Sequence, residues 1–296
     1  MTAGGAARLV AGALLLLATG ASAPAATAGL NVRISPAEPR PGDVVLVHVT
    51  GAPPDLGGEW QGHPLRFFPV HGGMAALAGV DLDVAPGPLA WRLSRPSRPQ
   101  GQLIIARGRV SVRPRSFELQ RLALPPDQVD LDRETLARVR VEETELRAAL
   151  VDSAAERLWR GAFVVPIEGG QPTGGFGLRR IINDQPRSPH AGYDWAAPRG
   201  SPVLAANAGR VVLVAEHFFA GRLVVLDHGL SLFTHYYHLE ESRVAVGERV
   251  GRGQPIGSVG AIGRATGPHL HFAVSLGGAR VDPMALLGLA LPPEAS

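Results

Sequence analysis

Cysteine and lysine are both absent from this chain of 296 residues. Without cysteine there are no disulfides, no thiolate metal ligands, no thiol nucleophile and no cysteine for lipid attachment. All 29 basic residues are therefore arginine, and the formal net charge is only +3. No basic run is longer than Arg179-Arg180, so the clustered positive charge of a nucleic-acid-binding protein is missing. We expect no nucleic-acid partner.

Aromatic residues are also scarce, at 5% of the chain, whereas glycine and proline number 37 and 26. This density of turn-forming residues favours short strands over long helices. The length is about twice that of a usual single domain. We therefore expect an all-β protein with two domains.

The N-terminal residues 1–28 have the pattern of a secretory signal. Arg8 precedes a short apolar run, residues 9–17, and small residues follow it. The run is well short of the roughly 20 apolar residues that span a membrane, which disfavours the alternative of an uncleaved anchor. We expect export to the periplasm, cell wall or medium, a mature chain that begins near Gly29, and no membrane contact after cleavage.

Residues 29–120 contain short apolar alternations separated by turn residues, which predicts an immunoglobulin-like β-sandwich. Its histidines, His48, His63 and His71, have no carboxylate partner at ligand spacing. We interpret them as ordinary strand or surface residues.

Residues 121–161 are predicted to form a linker with a helix. Residues 132–160 contain neither glycine nor proline, and Leu136, Val139, Leu146 and Leu150 would share one side of a helix. A partner-binding or membrane-surface helix is one interpretation. The interleaved charges favour a connector packed on its own domains. We assign residues 162–290 to a second, glycine-rich β domain.

Seven of the ten histidines follow residue 189, and three of these seven lie in two short motifs, HAGYD at 190–194 and HLH at 269–271. Alternate residues of a strand project from the same face, so His269 and His271 would lie about 6.5 Å apart on one side. Catalytic zinc needs three protein ligands and one open position. One imidazole and one carboxylate of the first motif, with one imidazole of the second, meet that count. His269, His235 and His238 are then candidates for the general base.

These motifs lie in a region, residues 163–285, that resembles the LytM/lysostaphin-type zinc metalloendopeptidases of metallopeptidase family 23. Besides the two histidine motifs, the resemblance covers FGLRR at 176–180, PRGSPV at 198–203, DHG at 227–229, YHL at 237–239, VGERV at 246–250, GQPIG at 253–257 and VDP at 281–283. The chain departs from the family pattern at loop positions such as Ile262 and Ala265.

The resemblance implies one zinc ion per chain, with His190, Asp194 and His271 as its ligands. It also implies that His238 and His269 are catalytic histidines, which activate water or stabilise the oxyanion. The implied reaction is hydrolysis of amide bonds in the stem or bridge peptides of peptidoglycan, within a groove on an antiparallel sheet.

Two further expectations accompany this resemblance. His235 matches no family position, and on a regular strand it would face away from His238, three residues later. We expect a monomer, with the N-terminal domain as a candidate docking site for a regulatory protein. The alternative function is a non-catalytic LytM-like domain that activates a partner amidase, but such domains lose ligands, whereas all five positions are filled here.

Overall fold

The structure is a computed structural model that describes residues 29–97, 101–123 and 129–295, together with Met1 and Pro125. Apart from Met1, the predicted signal segment lies outside these described residues. The expected all-β architecture is confirmed, with strands in both domains and a helix between them. None of the helices in the described part of the chain has the length and apolar character needed to cross a bilayer.

The first part of the chain contains nine strands and one helix: β1 (Asn31–Ser35), β2 (Val44–Thr50), β3 (Gly57–Trp60), β4 (His63–Pro64), β5 (Phe68–Val70), β6 (Gly73–Gly79), β7 (Gly87–Ser97), β8 (Gly101–Val112), β9 (Leu119–Leu122) and α1 (Arg133–Ala149). The second part contains β10 (Gln171–Gly174), β11 (Arg179–Ile182), β12 (Gln185–Pro186), β13 (Gly192–Ala196), β14 (Pro202–Leu204), β15 (Gly209–His217), β16 (Gly221–Asp227), β17 (Leu232–Ser242), β18 (Arg249–Val250), β19 (Pro255–Val259), β20 (His269–Leu276), β21 (Ala279–Val281) and α2 (Pro283–Leu287).

Two four-stranded antiparallel sheets form the N-terminal domain, in the orders β1-β2-β6-β5 and β4-β3-β7-β8. Alternate residues of β2, Val45, Val47 and Val49, point into the core between the sheets. Trp60 enters this core from the second sheet, and its indole N–H donates to the Gly79 carbonyl at 3.1 Å. The domain is a two-sheet sandwich, as predicted.

Strand β2 is buried on both faces, because its other side packs on the C-terminal domain. Val44 belongs, with Phe68, to a hydrophobic core that continues into that domain. Phe68 meets Trp159 edge to face, with the ring centroids 5.3 Å apart. Strand β6 approaches the β20–β21 hairpin so closely that a Cβ at Gly79 would lie 2.7 Å from the Ala279 Cβ. The two domains therefore share one core.

Ion pairs lie at the edge of this shared core. Arg280 of β21 binds Asp81 through bonds of 2.7 and 3.1 Å, and Arg115 reaches Asp282 at 2.7 Å. Since these pairs are partly exposed, each contributes only about 1 kcal/mol to stability. The apolar contacts hold the domains together, and the ion pairs help to set their orientation.

Helix α1 is shorter than predicted: it begins after its N-cap Asp132 and ends at Ala149. The prediction of helix through residue 160 is wrong. Residues 150–160 instead follow a non-helical path on which the Ala154 amide donates to the Asp227 carboxylate at 2.8 Å, and Trp159 enters the shared core. Burying that indole between the domains outweighs the helical preference of the segment.

Helix α1 packs on the C-terminal sheet as a connector. Leu146 and Leu150 join a small apolar cluster that includes Phe233. Glu145 lies 3.0 Å from the imidazole Nε2 of His217 at the end of β15. The interpretation of the helix as an internal connector therefore agrees with the structure.

Strand β9 lies across the predicted border between the sandwich and the linker. It pairs in parallel with β11, with Leu119 opposite Arg179 and Leu122 opposite Ile182. Sequence reasoning did not predict this strand. Through it, the segment between the domains becomes part of the surface of the C-terminal domain.

The C-terminal domain is built on an antiparallel sheet in the order β10-β13-β20-β17-β16-β15-β18. On β20, Leu270, Phe272 and Val274 fill the core beneath the sheet. His269 and His271 project from the opposite face, as the alternation predicts. One face of this sheet therefore packs on the hydrophobic core, and the other carries polar side chains.

Phe68→Ala should destabilise the whole protein, because the lost ring belongs to the core that both domains share. We expect the free energy of unfolding to fall by about 3 to 5 kcal/mol, measured by urea denaturation with tryptophan fluorescence. Leu103→Ala, at an exposed position of β8, is the control and should change it by less than about 0.5 kcal/mol. A Phe68→Ala effect as small as that of the control would contradict the shared core.

Candidate metal centre

Three of the predicted site residues converge on the polar face of the C-terminal sheet. Asp194 on β13 stands opposite His271 on β20, and His190 lies just before β13. The Asp194 Oδ1 atom is 2.7 Å from His271 Nδ1 and 3.0 Å from His190 Nε2, and the two nitrogens are 2.9 Å apart. In the described part of the chain, this is the one cluster that could hold a metal ion, with ligand atoms all within 4.8 Å.

Neighbouring groups orient the ligand rings. His190 Nδ1 lies 2.7 Å from the Gly175 carbonyl. Because a carbonyl can only accept, Nδ1 carries the proton and Nε2 keeps its lone pair. At Gly192, a Cβ would lie 2.6 Å from the His271 ring. The glycine of the HAGYD motif therefore makes room for a ring on the neighbouring strand.

A second pair of histidines lies beside this cluster. The His238 and His269 ring centroids are 4.6 Å apart, and His238 is 6.1 Å from His271. The Nδ1 atom of His238 donates to the Ile262 carbonyl at 2.9 Å, and that of His269 donates to the Gly267 carbonyl at 2.8 Å. In both rings the Nε2 atom therefore carries the lone pair.

A β-bulge brings His238 to this face. Between the pairs that β17 makes with Arg222 and Val224, it has two residues, Tyr237 and His238, where β16 has one. His238 adopts a φ of 62°, a left-handed conformation uncommon outside glycine. The bulge interrupts the alternation, so that both consecutive side chains reach the polar face.

The prediction that His235 faces away from His238 is wrong, and the bulge is the reason. His235 stands opposite Ala273 on β20, so it too lies on the polar face. Its Nε2 atom contacts the Ser275 hydroxyl at 3.0 Å, and its Nδ1 atom contacts the Tyr237 hydroxyl at 3.2 Å. Both ring nitrogens of His235 thus have hydroxyl partners. His235 belongs neither to the cluster of proposed ligands nor to the pair formed by His238 and His269.

Burial and neighbouring charges shift the pKa values of Asp194, His238 and His271. It lowers the pKa of His271, and together with the neighbouring histidines it lowers the pKa of His238 to about 3. Burial would raise the pKa of Asp194, but His271 and His190 overcome it and hold that pKa far below its usual range. At neutral pH the site therefore offers the Asp194 carboxylate and the neutral imidazole of His271, the forms that bind metal ions.

The site lies in the floor of an open groove. A cavity of about 250 Å³ extends to one side and is lined by Arg180 and Arg264. A cavity of about 530 Å³ extends to the other side, between β17, helix α1 and the N-terminal domain. His271 lines both cavities, and His63 and Arg66 reach the larger one. His63 is exposed on β4, as its interpretation as an ordinary strand or surface residue predicts.

Sequence reasoning missed most side chains that surround the ligands. The Arg180 guanidinium is 3.6 Å from Asp194 and donates to the Gln120 side chain at 3.2 Å. Tyr237 stacks on His271, with the ring centroids 5.3 Å apart. Arg180 lay in the FGLRR stretch of the resemblance, which was a usable signal. Gln120 had none, because its position depends on the pairing of β9 with β11.

Comparisons with known proteins identify relatives of this chain. The sequence model of peptidase family M23 matches residues 188–283. Peptidoglycan DD-endopeptidase ShyA of Vibrio cholerae is 44% identical over 97 residues, which are 33% of this chain and 23% of ShyA. ShyC of the same organism is 37% identical over 120 residues, which are 40% of this chain and 28% of ShyC. The matches thus span less than a third of the length of these relatives.

One solved structure is similar over both domains. It is the crystal structure of a Pseudomonas aeruginosa protein assigned to peptidase M23, with 32% sequence identity and a TM-score of 0.68. The alignment covers 85% of this chain and 96% of that one. The likeness over nearly the whole of that protein, with the family match across the site, shows that this chain belongs to peptidase family M23.

Proposed function

We propose that this protein is an exported zinc endopeptidase that hydrolyses amide bonds in the stem or bridge peptides of peptidoglycan. The observation that carries the proposal is the convergence of three ligand atoms within 4.8 Å in the floor of a groove, beside two oriented histidines. The relatives named as peptidoglycan DD-endopeptidases support the substrate class. The signal-like residues 1–28 support export to the compartment in which that substrate lies.

Zinc fits the donor atoms of this site. Two imidazole nitrogens and one carboxylate oxygen are ligands that zinc prefers, and three protein ligands leave a position for water. Among the described residues the ligand cluster has three members, whereas a structural zinc site uses four. When bound, zinc would lower the pKa of water and polarise the substrate carbonyl.

The protein's own residues would orient the ligands and transfer the protons. The Gly175 carbonyl holds His190 with its Nε2 lone pair towards the site, and Tyr237 supports the His271 ring. His238 and His269 each keep the Nδ1 proton on a carbonyl, so Nε2 can accept a proton from the attacking water. The imidazolium formed in this way can then donate the proton to the departing amine nitrogen.

Removal of the metal should abolish the activity. We expect a chelator to stop the release of soluble muropeptides from purified cell walls, and added zinc to restore it, because the water would lose its activating ion. Mass spectrometry of the released fragments measures the rate and identifies the bond that is cut. Full activity of protein shown to be metal-free by elemental analysis would contradict the proposal.

Substitutions should separate ligands from catalytic histidines. His271→Ala should lose the metal, whereas His238→Ala and His269→Ala should retain it and lose turnover by about 10²- to 10⁴-fold. Zinc content per chain and the rate of muropeptide release are the two measurements. His71→Ala, at an exposed position, should retain both and serves as the control. Equal zinc content in all three site variants would refute the assignment of the ligands.

A further inference from the structure

Two arginine side chains stand beside the proposed ligands, and among the described residues Asp194 is the one carboxylate that pairs with either of them. Arg180 and Arg264 line the smaller cavity of the groove, together with Asp194 and His269. The Arg180 guanidinium is 3.6 Å from Asp194 Oδ2, which belongs to a proposed metal ligand. Within the described ranges, Arg264 forms no ion pair with an acidic side chain. Both cations therefore face the place where a substrate would lie.

The protein holds both side chains in position. Arg180 Nε donates to the Gln120 side chain of β9 at 3.2 Å. The Arg264 guanidinium lies over the Phe219 ring, 4.1 Å from its centroid, and the Arg264 amide donates to the Phe219 carbonyl. Because these contacts already restrict the side chains, less conformational entropy is lost when an anion binds.

The cavity has an excess of positive charge. Among its described lining residues, two guanidinium groups face the single carboxylate of Asp194, which a metal ion would also engage. Burial, with Arg180 and Arg187 nearby, lowers the pKa of Arg264 to about 10, so Arg264 stays cationic at neutral pH. Arg187 is itself within 3.9 Å of Asp130. An anionic group of a ligand would offset the repulsion between the arginines.

We propose that Arg180 and Arg264 bind a free carboxylate on the substrate residue that supplies the amine side of the cleaved amide; this rests on the proposed function. The reacting carboxyl group of the carbonyl-side residue is part of the amide, so a free carboxylate on the carbon bonded directly to the amide belongs to the amine side. Guanidinium groups bind carboxylates through charge-assisted hydrogen bonds. The contact between Arg180 and Asp194 places that carboxylate within one residue of the reacting carbonyl.

Among the peptidoglycan structures that offer this chemistry, two lie at the ends of stem peptides. In a diaminopimelate crosslink, the carbon that bears the amide nitrogen also bears a free carboxylate. In an uncrosslinked stem peptide, the terminal D-alanine has one in the same place. A glycyl bridge continues as another amide at this position and lacks the anion. The arginines would therefore select the first two structures over glycyl bridges.

The experiment compares matched peptides that have either a carboxylate or a carboxamide on the amine-side residue. One pair is a branched diaminopimelate crosslink, and the other is a linear D-alanyl-D-alanine peptide. For the zinc-loaded full chain we expect kcat/KM to be about 10- to 100-fold higher for the acid, as for one charge-assisted contact. A preference in the branched pair identifies the crosslink as the source, and one in the linear pair identifies the terminus. Either result supports the carboxylate site.

Arg264→Gln should remove most of this preference by slowing only the acid substrate, and Arg264→Lys should retain part of it. Arg264 is the position to vary, because Arg180 also contacts Asp194. Arg252→Gln removes the same charge from an exposed turn outside the groove residues and should leave the preference unchanged. Zinc content should be equal in all of these proteins.

Equal rates on acid and amide, or an equal loss on both in Arg264→Gln, would overturn the carboxylate site and leave the hydrolase proposal standing. If neither peptide is cleaved but purified cell walls still release muropeptides, the hydrolase proposal stands; if the walls are not cleaved either, it fails. Calorimetric binding of the intact peptides then decides the carboxylate site. Stronger binding of the acid that is lost in Arg264→Gln supports it, and equal binding of acid and amide overturns it.

Discussion

The pairing of Asp194 with His271 across β13 and β20 is the contact on which the site depends. Residues directly opposite each other in an antiparallel pair share a face, so this register places a carboxylate against an imidazole without a loop to adjust them. A slip of β20 by one residue would turn His271 towards the core and its apolar neighbours towards the groove. Leu270 and Phe272, which fill that core, prevent the slip. The packing beneath the sheet therefore determines the geometry of the ligands above it.

The N-terminal domain is part of the groove as well as a neighbour of it. Strand β2 has no solvent-facing side, because one face closes the sandwich and the other packs on the C-terminal domain. This docking carries His63 and Arg66 to one end of the groove, while β9 brings Gln120 to the other. The shape of the groove and the stability of the protein are thus linked, since the same interface that buries Phe68 also builds the walls of the groove.

The fold class and the clustering of the proposed ligands were predictable, but for different reasons. Turn-rich composition and short alternations indicated β structure, and the spacing of HLH put two histidines on one face. The choice of His238 over His235 came from the family resemblance, because alternation alone separates their faces incorrectly. The helix end at Ala149 was missed because the burial of Trp159 between the domains decides it. Strand β2 begins with four consecutive apolar residues, a pattern that indicates burial on both faces. A sandwich strand was expected to be buried on one face, so this signal was missed.

The choice of ligand residues and the alternation of side chains depend on a few neighbouring residues. Both can therefore be recognised in the HAGYD and HLH motifs. The bulge at His238, the docking of the two domains and the placement of Arg180 beside Gln120 depend on segments that are far apart in the chain. Their conformations depend on which surfaces are buried together. The free energy of that burial leaves no pattern among neighbouring residues of the sequence. For this reason the residues of the proposed metal centre could be named from the amino-acid order, whereas the residues that shape the groove became apparent only in the folded chain.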